Sequence, residues 1–204
     1  MKLLLFDFDG VLVDSLDVYE KTVTECLRKI NQPLTRGREE FLELFEGNFY
    51  ESLVEKGIDL KNFMEASVGI LARVSYPEIK PITATLPVLN ALKNDHVLIV
   101  ISSNDSPTIY EALRLYHFDG IFKEVLGCDF MLSKKDKMLY AIKKYSVMPE
   151  DIYYIGDTTG DIKEGKQAGV QTVGVSWGWH DKAKMAAANP DYLFDEPEDL
   201  LKLN

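Results

Sequence analysis

Short apolar runs recur along this chain, separated by stretches of helical periodicity, and that alternation is the tightest constraint on its fold. Leu3 to Phe6, Val97 to Ile101, Val125-Leu126, Ile152 to Ile155 and Thr172 to Val175 carry no charged residue, as strands buried on both faces do. Between them, Leu86, Leu89 and Leu92, then Ile109, Leu113 and Tyr116, then Leu139, Ile142 and Tyr145 repeat at helical spacing. Strand alternating with helix predicts an α/β fold, a doubly wound parallel sheet with helices on both faces. Gly169 follows a helical segment ending at Ala168, as a C-terminal cap would.

The stretch from about Ser15 to Lys80 breaks the rhythm. Val18, Thr22, Leu27 and Ile30, then Phe41, Leu44 and Phe45, then Phe63 through Leu71 read as helices, with no convincing strand among them. Pro33 to Gly37, Pro77 and Pro81 punctuate it. The expected organisation is a core of residues 1–14 and 81–204, with an α-helical insert at 15–80 hinged near Ser15 and Pro81.

The net charge of −10 argues against nucleic acid and anionic membrane as partners. No run approaches the roughly 20 apolar residues of a membrane span. The first apolar run meets Asp7 and Asp9 before reaching the length of a signal segment. Two cysteines, Cys26 and Cys128, are too few for a disulfide framework and suit a reducing compartment, so a cytoplasmic setting is expected. The 204 residues suffice for a substantial core, and oligomeric state is not legible.

Four polar clusters fall at or just beyond the carboxyl ends of expected strands, where open parallel sheets bind ligands. They are Asp7-Phe8-Asp9-Gly10, Ser102-Ser103-Asn104, Ser133-Lys134-Lys135, and Gly156-Asp157-Thr158-Thr159-Gly160-Asp161. Strand alternation sends Asp7 and Asp9 out on the same side, and two crowded carboxylates need a cation or a shared proton. A hard divalent ion such as Mg²⁺, which takes oxygen ligands, water and substrate phosphate, meets that need. Acids, a hydroxyl and a lysine on one rim are what metal-assisted phosphoryl transfer requires. A calcium loop does not fit: with Gly10 as its turn, its first ligand would be Leu5 and its closing acid Leu16.

The motifs Asp7-Phe8-Asp9-Gly10-Val11-Leu12-Val13-Asp14-Ser15, Val100-Ile101-Ser102-Ser103-Asn104 and Tyr154-Ile155-Gly156-Asp157-Thr158-Thr159-Gly160-Asp161-Ile162 resemble, in order and spacing, the haloacid dehalogenase superfamily. The phosphatase branch that includes phosphoglycolate phosphatase and β-phosphoglucomutase is the nearest in pattern, and the helical insert resembles that family's cap. The resemblance implies a Mg²⁺-dependent phosphatase acting on a small soluble phosphate monoester. Asp7 would be the nucleophile and Asp9 the acid and base, with its backbone carbonyl on the metal. Asp157 would be a direct metal ligand, and Asp161 would complete the acidic shell directly or through water. Ser102 and a lysine would hold the phosphoryl oxygens, with Ser103 and Asn104 beside them. The family's usual lysine precedes proline, whereas here Lys134, Lys135 and Lys137 compete. Lys134 is favoured because Leu139 then falls where the following helix's first core residue belongs, with Lys135 in reserve.

An acid at position 9 disfavours dehalogenation and phosphonate cleavage. A phosphosugar mutase and a non-catalytic metabolite-binding regulator are the competing readings. His96, His117 and His180 share no ligand spacing and read as structural or surface residues, and Trp177 and Trp179 as packing residues near the domain's end. Arg36, Arg38, Asn48, Phe49 and Tyr50 are candidate substrate contacts in the insert.

Overall fold

The structure is a computed structural model and describes residues 1–71 and 79–204; Pro77 lies outside them. Its centre is a six-stranded parallel sheet of β1 (Leu3–Phe6), β4 (Val97–Ile101), β5 (Glu124–Leu126), β6 (Ile152–Gly156), β7 (Gln171–Val175) and β8 (Tyr192–Phe194), in the order β5-β4-β1-β6-β7-β8. The five apolar runs are the first five of these strands. The sixth, β8, was not anticipated: three residues long, it sits on the sheet edge with Tyr192 exposed, too short for a periodic signal.

Alternate β1 residues serve opposite faces, as the period of two demands. Leu4 and Phe6 join one core with Val88, Leu89 and Leu92 of α5 (Thr85–Leu92) and Ile109 of α6 (Ser106–Leu115). Leu3 and Leu5 join another with Met138 and Ala141 of α7 (Lys134–Tyr145) and with Ala168 of α8 (Thr159–Ala168). The chain leaves β1 toward β4 and β5, then returns to build β6 on β1's other side, so β1 is the point where strand order reverses. Crevices form at that point, beyond the carboxyl ends of β1, β4 and β6.

The insert packs its own third core. Val23 and Leu27 of α1 (Leu16–Lys29), Phe41 of α2 (Arg38–Glu43), Phe49 and Leu53 of α3 (Phe49–Glu55), and Phe63 and Ile70 of α4 (Leu60–Leu71) are among its buried members, and Trp179 enters it from the sheet side. A two-stranded antiparallel ribbon, β2 (Val13–Asp14) with β3 (Lys80–Pro81), ties the chain's exit to its return. The last α-helix among the described residues, α9 (Lys182–Ala187), follows β7, and a 3-10 helix at Pro197–Leu203 ends the fold after β8. Among the described residues no helix is long and apolar enough to cross a membrane.

Candidate active site

Asp7 is the first residue beyond β1, and its backbone N–H still donates to the Ile155 carbonyl at 2.8 Å. Its Oδ1 accepts the N–H of Phe8 at 2.7 Å and its Oδ2 accepts Lys134 Nζ at 2.7 Å. Lys134 reaches this point because it opens α7, capped by the Ser133 hydroxyl. The same Nζ donates at 2.7 Å to Asp161 Oδ1, so one buried ammonium bridges two carboxylates. Asp161 is fully engaged: Tyr154 Oη donates to its Oδ1 at 2.8 Å, and the Thr158 N–H and hydroxyl donate to Oδ2 at 3.0 and 2.7 Å. With the Asp161 N–H returning to the Thr158 hydroxyl, this is a capping box at the start of α8, so the acid is at once helix cap and lysine partner.

Asp157, at the end of β6, is different. Its Oδ2 accepts the Trp179 N–H at 2.6 Å, while Oδ1 is buried with no hydrogen-bond partner among the described residues. A buried carboxylate oxygen left open is costly unless a cation or a proton is supplied. Carboxylate oxygens of Asp7, Asp157 and Asp161 all lie within 4.8 Å of one another, all buried. Gly10, at φ +76°, brings the backbone so close that a Cβ there would collide with the Asp157 carboxylate, and Gly178 closes on it from the other side. An all-oxygen donor set this tight, with one open lone-pair position, fits a small hard cation such as Mg²⁺.

Asp9 points its Oδ1 at the Ser15 hydroxyl, 2.7 Å away, and Ser102 lines the same pocket. Burial pushes the Asp7 carboxyl up to about 7, against the pull of Lys134, and the Asp9 carboxyl up to about 6. Burial also drives Asp157 well above the ordinary range, with the charges of Asp161 and Asp7 adding to it. For Asp161 burial acts in the same direction, but Lys134 and the Thr158 and Tyr154 hydroxyls outweigh it and hold the group below its ordinary value. Burial alone would lower Lys134, yet the charges of Asp161 and Asp7 lift it well above the usual lysine range. The site thus carries a permanent cation and one fixed anion, beside three carboxyls that gain from a second cation.

The haloacid dehalogenase-like hydrolase profile matches residues 4–175 of the chain. The chain belongs to this family. A phosphoglycolate phosphatase from Aquifex aeolicus is 30% identical over 100% of this chain and 96% of its own length. One from Haemophilus influenzae strain Rd is 28% identical over 99% and 97%. A solved structure from Clostridium acetobutylicum, described as a predicted phosphatase, superposes with a TM-score of 0.84 at 21% identity, covering 98% of this chain and 96% of that one. That likeness is one of fold.

Within this family member, Ser102 and Ser103 line the same small pocket as Asp7, Asp9, Lys134 and Asp157. The Ser102 hydroxyl accepts the Asn104 N–H, and Ser103 contributes its carbonyl to the Tyr50 hydroxyl at 2.7 Å. Asn104 is not brought to the acids: its side chain accepts the Asp105 N–H, and the residue lines a neighbouring cleft instead. Lys135 turns away and offers its backbone N–H to Glu164. The ground for choosing Lys134 does not hold, because Leu139 is 44% exposed. The buried stripe of α7 is Lys134, Lys137, Met138 and Ala141, one helical face carrying two lysines. Lys137 is wholly buried and donates to the Ser102 carbonyl at 2.5 Å.

The insert's expected contacts divide. Arg36 is held by Glu43, and Arg38 by Asp17 and Glu20, all near the surface. Asn48 caps α3 and donates to Glu164, while Phe49 and Tyr50 line the neighbouring cleft. His180 is structural: its Nδ1 accepts the Thr159 N–H, so its Nε2 carries the proton toward the Leu42 carbonyl. Trp179 does more than pack at the domain's end, since its ring stands among Tyr19, Phe41 and Phe45 of the insert. Ser15, Tyr154 and Trp179 escaped sequence reasoning as site residues, being polar or aromatic groups whose partners depend on how the chain folds; Thr158 stood in a polar cluster, and its partner Asp161 lies three residues on, at capping-box spacing.

Proposed function

We propose that this protein is a Mg²⁺-dependent phosphatase that hydrolyses a small phosphate monoester through an aspartyl-phosphate on Asp7. The observation that carries the reading is Asp7 held by Lys134 beside the open oxygen of Asp157, with Asp9 next to it. The phosphoglycolate phosphatase names of full-length relatives point the same way.

In this reading Asp7, Asp157 and the backbone carbonyl of Asp9 hold the metal, and Asp161 supports the site through Lys134 rather than as a direct ligand. Bound there, the metal supplies neutralisation of the phosphoryl oxygens and of the crowded acids. An Asp7 carboxylate oxygen attacks phosphorus, and the phosphorus–oxygen bond to the alcohol breaks. Protonated Asp9 gives its proton to the departing alkoxide, a role suited to a carboxyl lifted to about 6. As the carboxylate so formed, Asp9 then takes a proton from water, whose oxygen attacks phosphorus and releases Asp7. Lys134 and the Ser102 hydroxyl steady the charge on the transferring group.

Residues 15–80 act as a cap on a core of residues 1–14 and 81–204, the β2–β3 ribbon being where the two would flex. The free cysteines Cys26 and Cys128 are consistent with a cytoplasmic setting. Phosphate release from a panel of esters, with EDTA and Asp7→Asn as controls, tests the function. Release that needs both the metal and Asp7 supports it, and release that survives either control overturns it.

A further inference from the structure

We propose that the alcohol portion of the substrate is bulky, largely apolar and free of negative charge, so that phosphoglycolate itself is a poor substrate. This rests on the phosphatase reading above. A cleft of about 670 Å³ opens beside the acids, between the insert and the ends of β4 and β5, and meets the acid pocket at Tyr19 and Ser103, which line both. An ester whose phosphorus sits at Asp7 extends naturally into this space. The size is that of pockets holding drug-sized ligands, about 300–1,000 Å³. At roughly 30 Å³ for each water-sized group, a two-carbon acid would leave most of it to solvent.

The walls give the chemistry. Val23 of α1, Phe49 of α3, and Phe63 and Met64 of α4 supply apolar surface. The charged members are Asp105, Glu111 and Asp129, and among the described lining residues there is no Lys, Arg or His. Asp105 accepts the Thr108 N–H, and Asp129 the Ser106 N–H and hydroxyl; among the described residues neither forms an ion pair. Lys137, whose charge reaches Asp129 and Cys128, is wholly buried behind the lining and donates to the Ser102 carbonyl rather than into the cleft; Arg36 and Arg38 pair with acids on the surface of the insert. A carboxylate carried into the cleft would lose water and meet like charge, with no counter-ion among the described lining residues. An apolar body gains from the same burial, and an amine at its far end would meet the acids favourably.

The test uses a matched pair with similar alkoxide leaving groups, 2-phenylethyl phosphate and 2-(4-carboxyphenyl)ethyl phosphate, alongside phosphoglycolate, on the Mg²⁺-loaded full chain. The neutral ester should show kcat/KM at least tenfold above either acid. Equal or reversed preference overturns the inference, and the hydrolase reading still stands if release depends on Mg²⁺ and Asp7. Should no ester turn over, the hydrolase reading fails instead, and calorimetric binding of the same pair decides: tighter binding of the neutral ester supports the inference, and equal or weaker binding overturns it. Met64→Arg and, independently, Ser67→Lys place a cation in the cleft and should narrow the preference at least fivefold by favouring the carboxylated ester. An unchanged ratio in both folded variants would show that the alcohol portion lies elsewhere and overturn the inference.

Discussion

Trp179 gives its backbone N–H to Asp157 Oδ2 at 2.6 Å while its indole packs against Phe45, ring centroids 4.9 Å apart and nearly perpendicular. One residue therefore joins a carboxylate at the end of β6 to the aromatic core of the insert. Trp179→Ala keeps the amide but removes the ring from a cluster that also holds Tyr19 and Phe41, and should cost about 3 kcal/mol of stability, the scale of an aromatic deleted from a core. Trp179→Phe should cost less than about 1.5 kcal/mol, since it keeps much of the packing and discards a buried indole N–H that has no acceptor among the described residues. Denaturant unfolding of the two variants checks the order, and an equal loss in both would contradict the packing argument.

Asp157→Asn should move stability in opposite directions with and without metal. Free of metal and at alkaline pH, where the raised carboxyls are forced to ionise, the wild-type site crowds Asp157 against two other acids, so neutralising it should stabilise the fold by roughly 1 to 3 kcal/mol. In saturating Mg²⁺ the wild type should overtake the variant, whose melting temperature should no longer respond to the metal. Thermal melts in EDTA and in Mg²⁺ decide it.

The pH dependence of the metal-free protein follows from the same acids. Burial raises Asp7 to about 7 and Asp9 to about 6, and Asp157 well above its ordinary value. Each binds its proton more tightly folded than unfolded, where a carboxyl titrates near about 3.9. For Asp7 and Asp9 that contribution is therefore fully present below about pH 4 and is lost as pH rises through about 6 to 7, and Asp157 acts in the same direction. Metal binding needs these carboxylates ionised, so the melting-temperature gain from Mg²⁺ should grow between about pH 5 and pH 8. A metal-free melting temperature that stays flat or rises over that interval would sink the assignment.

The sheet and the acidic rim were legible because their signals are local. An uncharged run such as Val97 to Ile101 can hardly be anything but a buried strand, and residues just past such runs are delivered to one edge by the parallel topology. The phase of α7 was not legible: two of its buried positions are lysines, and apolar periodicity pointed instead to exposed Leu139. What sets Lys134 apart is visible only in the structure, its two carboxylate partners lying 127 and 27 positions away. Tyr154 and Trp179 read as apolar bulk because nothing local reveals that a phenol hydroxyl meets Asp161 or that a backbone amide meets Asp157.

Lys134 and Lys135 should separate sharply on substitution. Lys134→Met removes the ammonium from between Asp7 and Asp161 and leaves two buried carboxylates without their counter-ion. Losing one partner of such a buried network costs about 3 to 5 kcal/mol. The carboxyls can recover part of that by taking up a proton, so the observed loss should fall toward the lower figure and shrink at acid pH. Activity should fall at least 10²-fold even in saturating Mg²⁺, because the charge facing the transferring group is gone. Lys135→Met leaves intact the backbone N–H that Glu164 accepts, and should change stability by less than about 0.5 kcal/mol with turnover nearly unaltered. Steady-state kinetics and urea unfolding on the pair read both effects; comparable losses in the two variants would mean that the bridge seen at Lys134 does not carry the site.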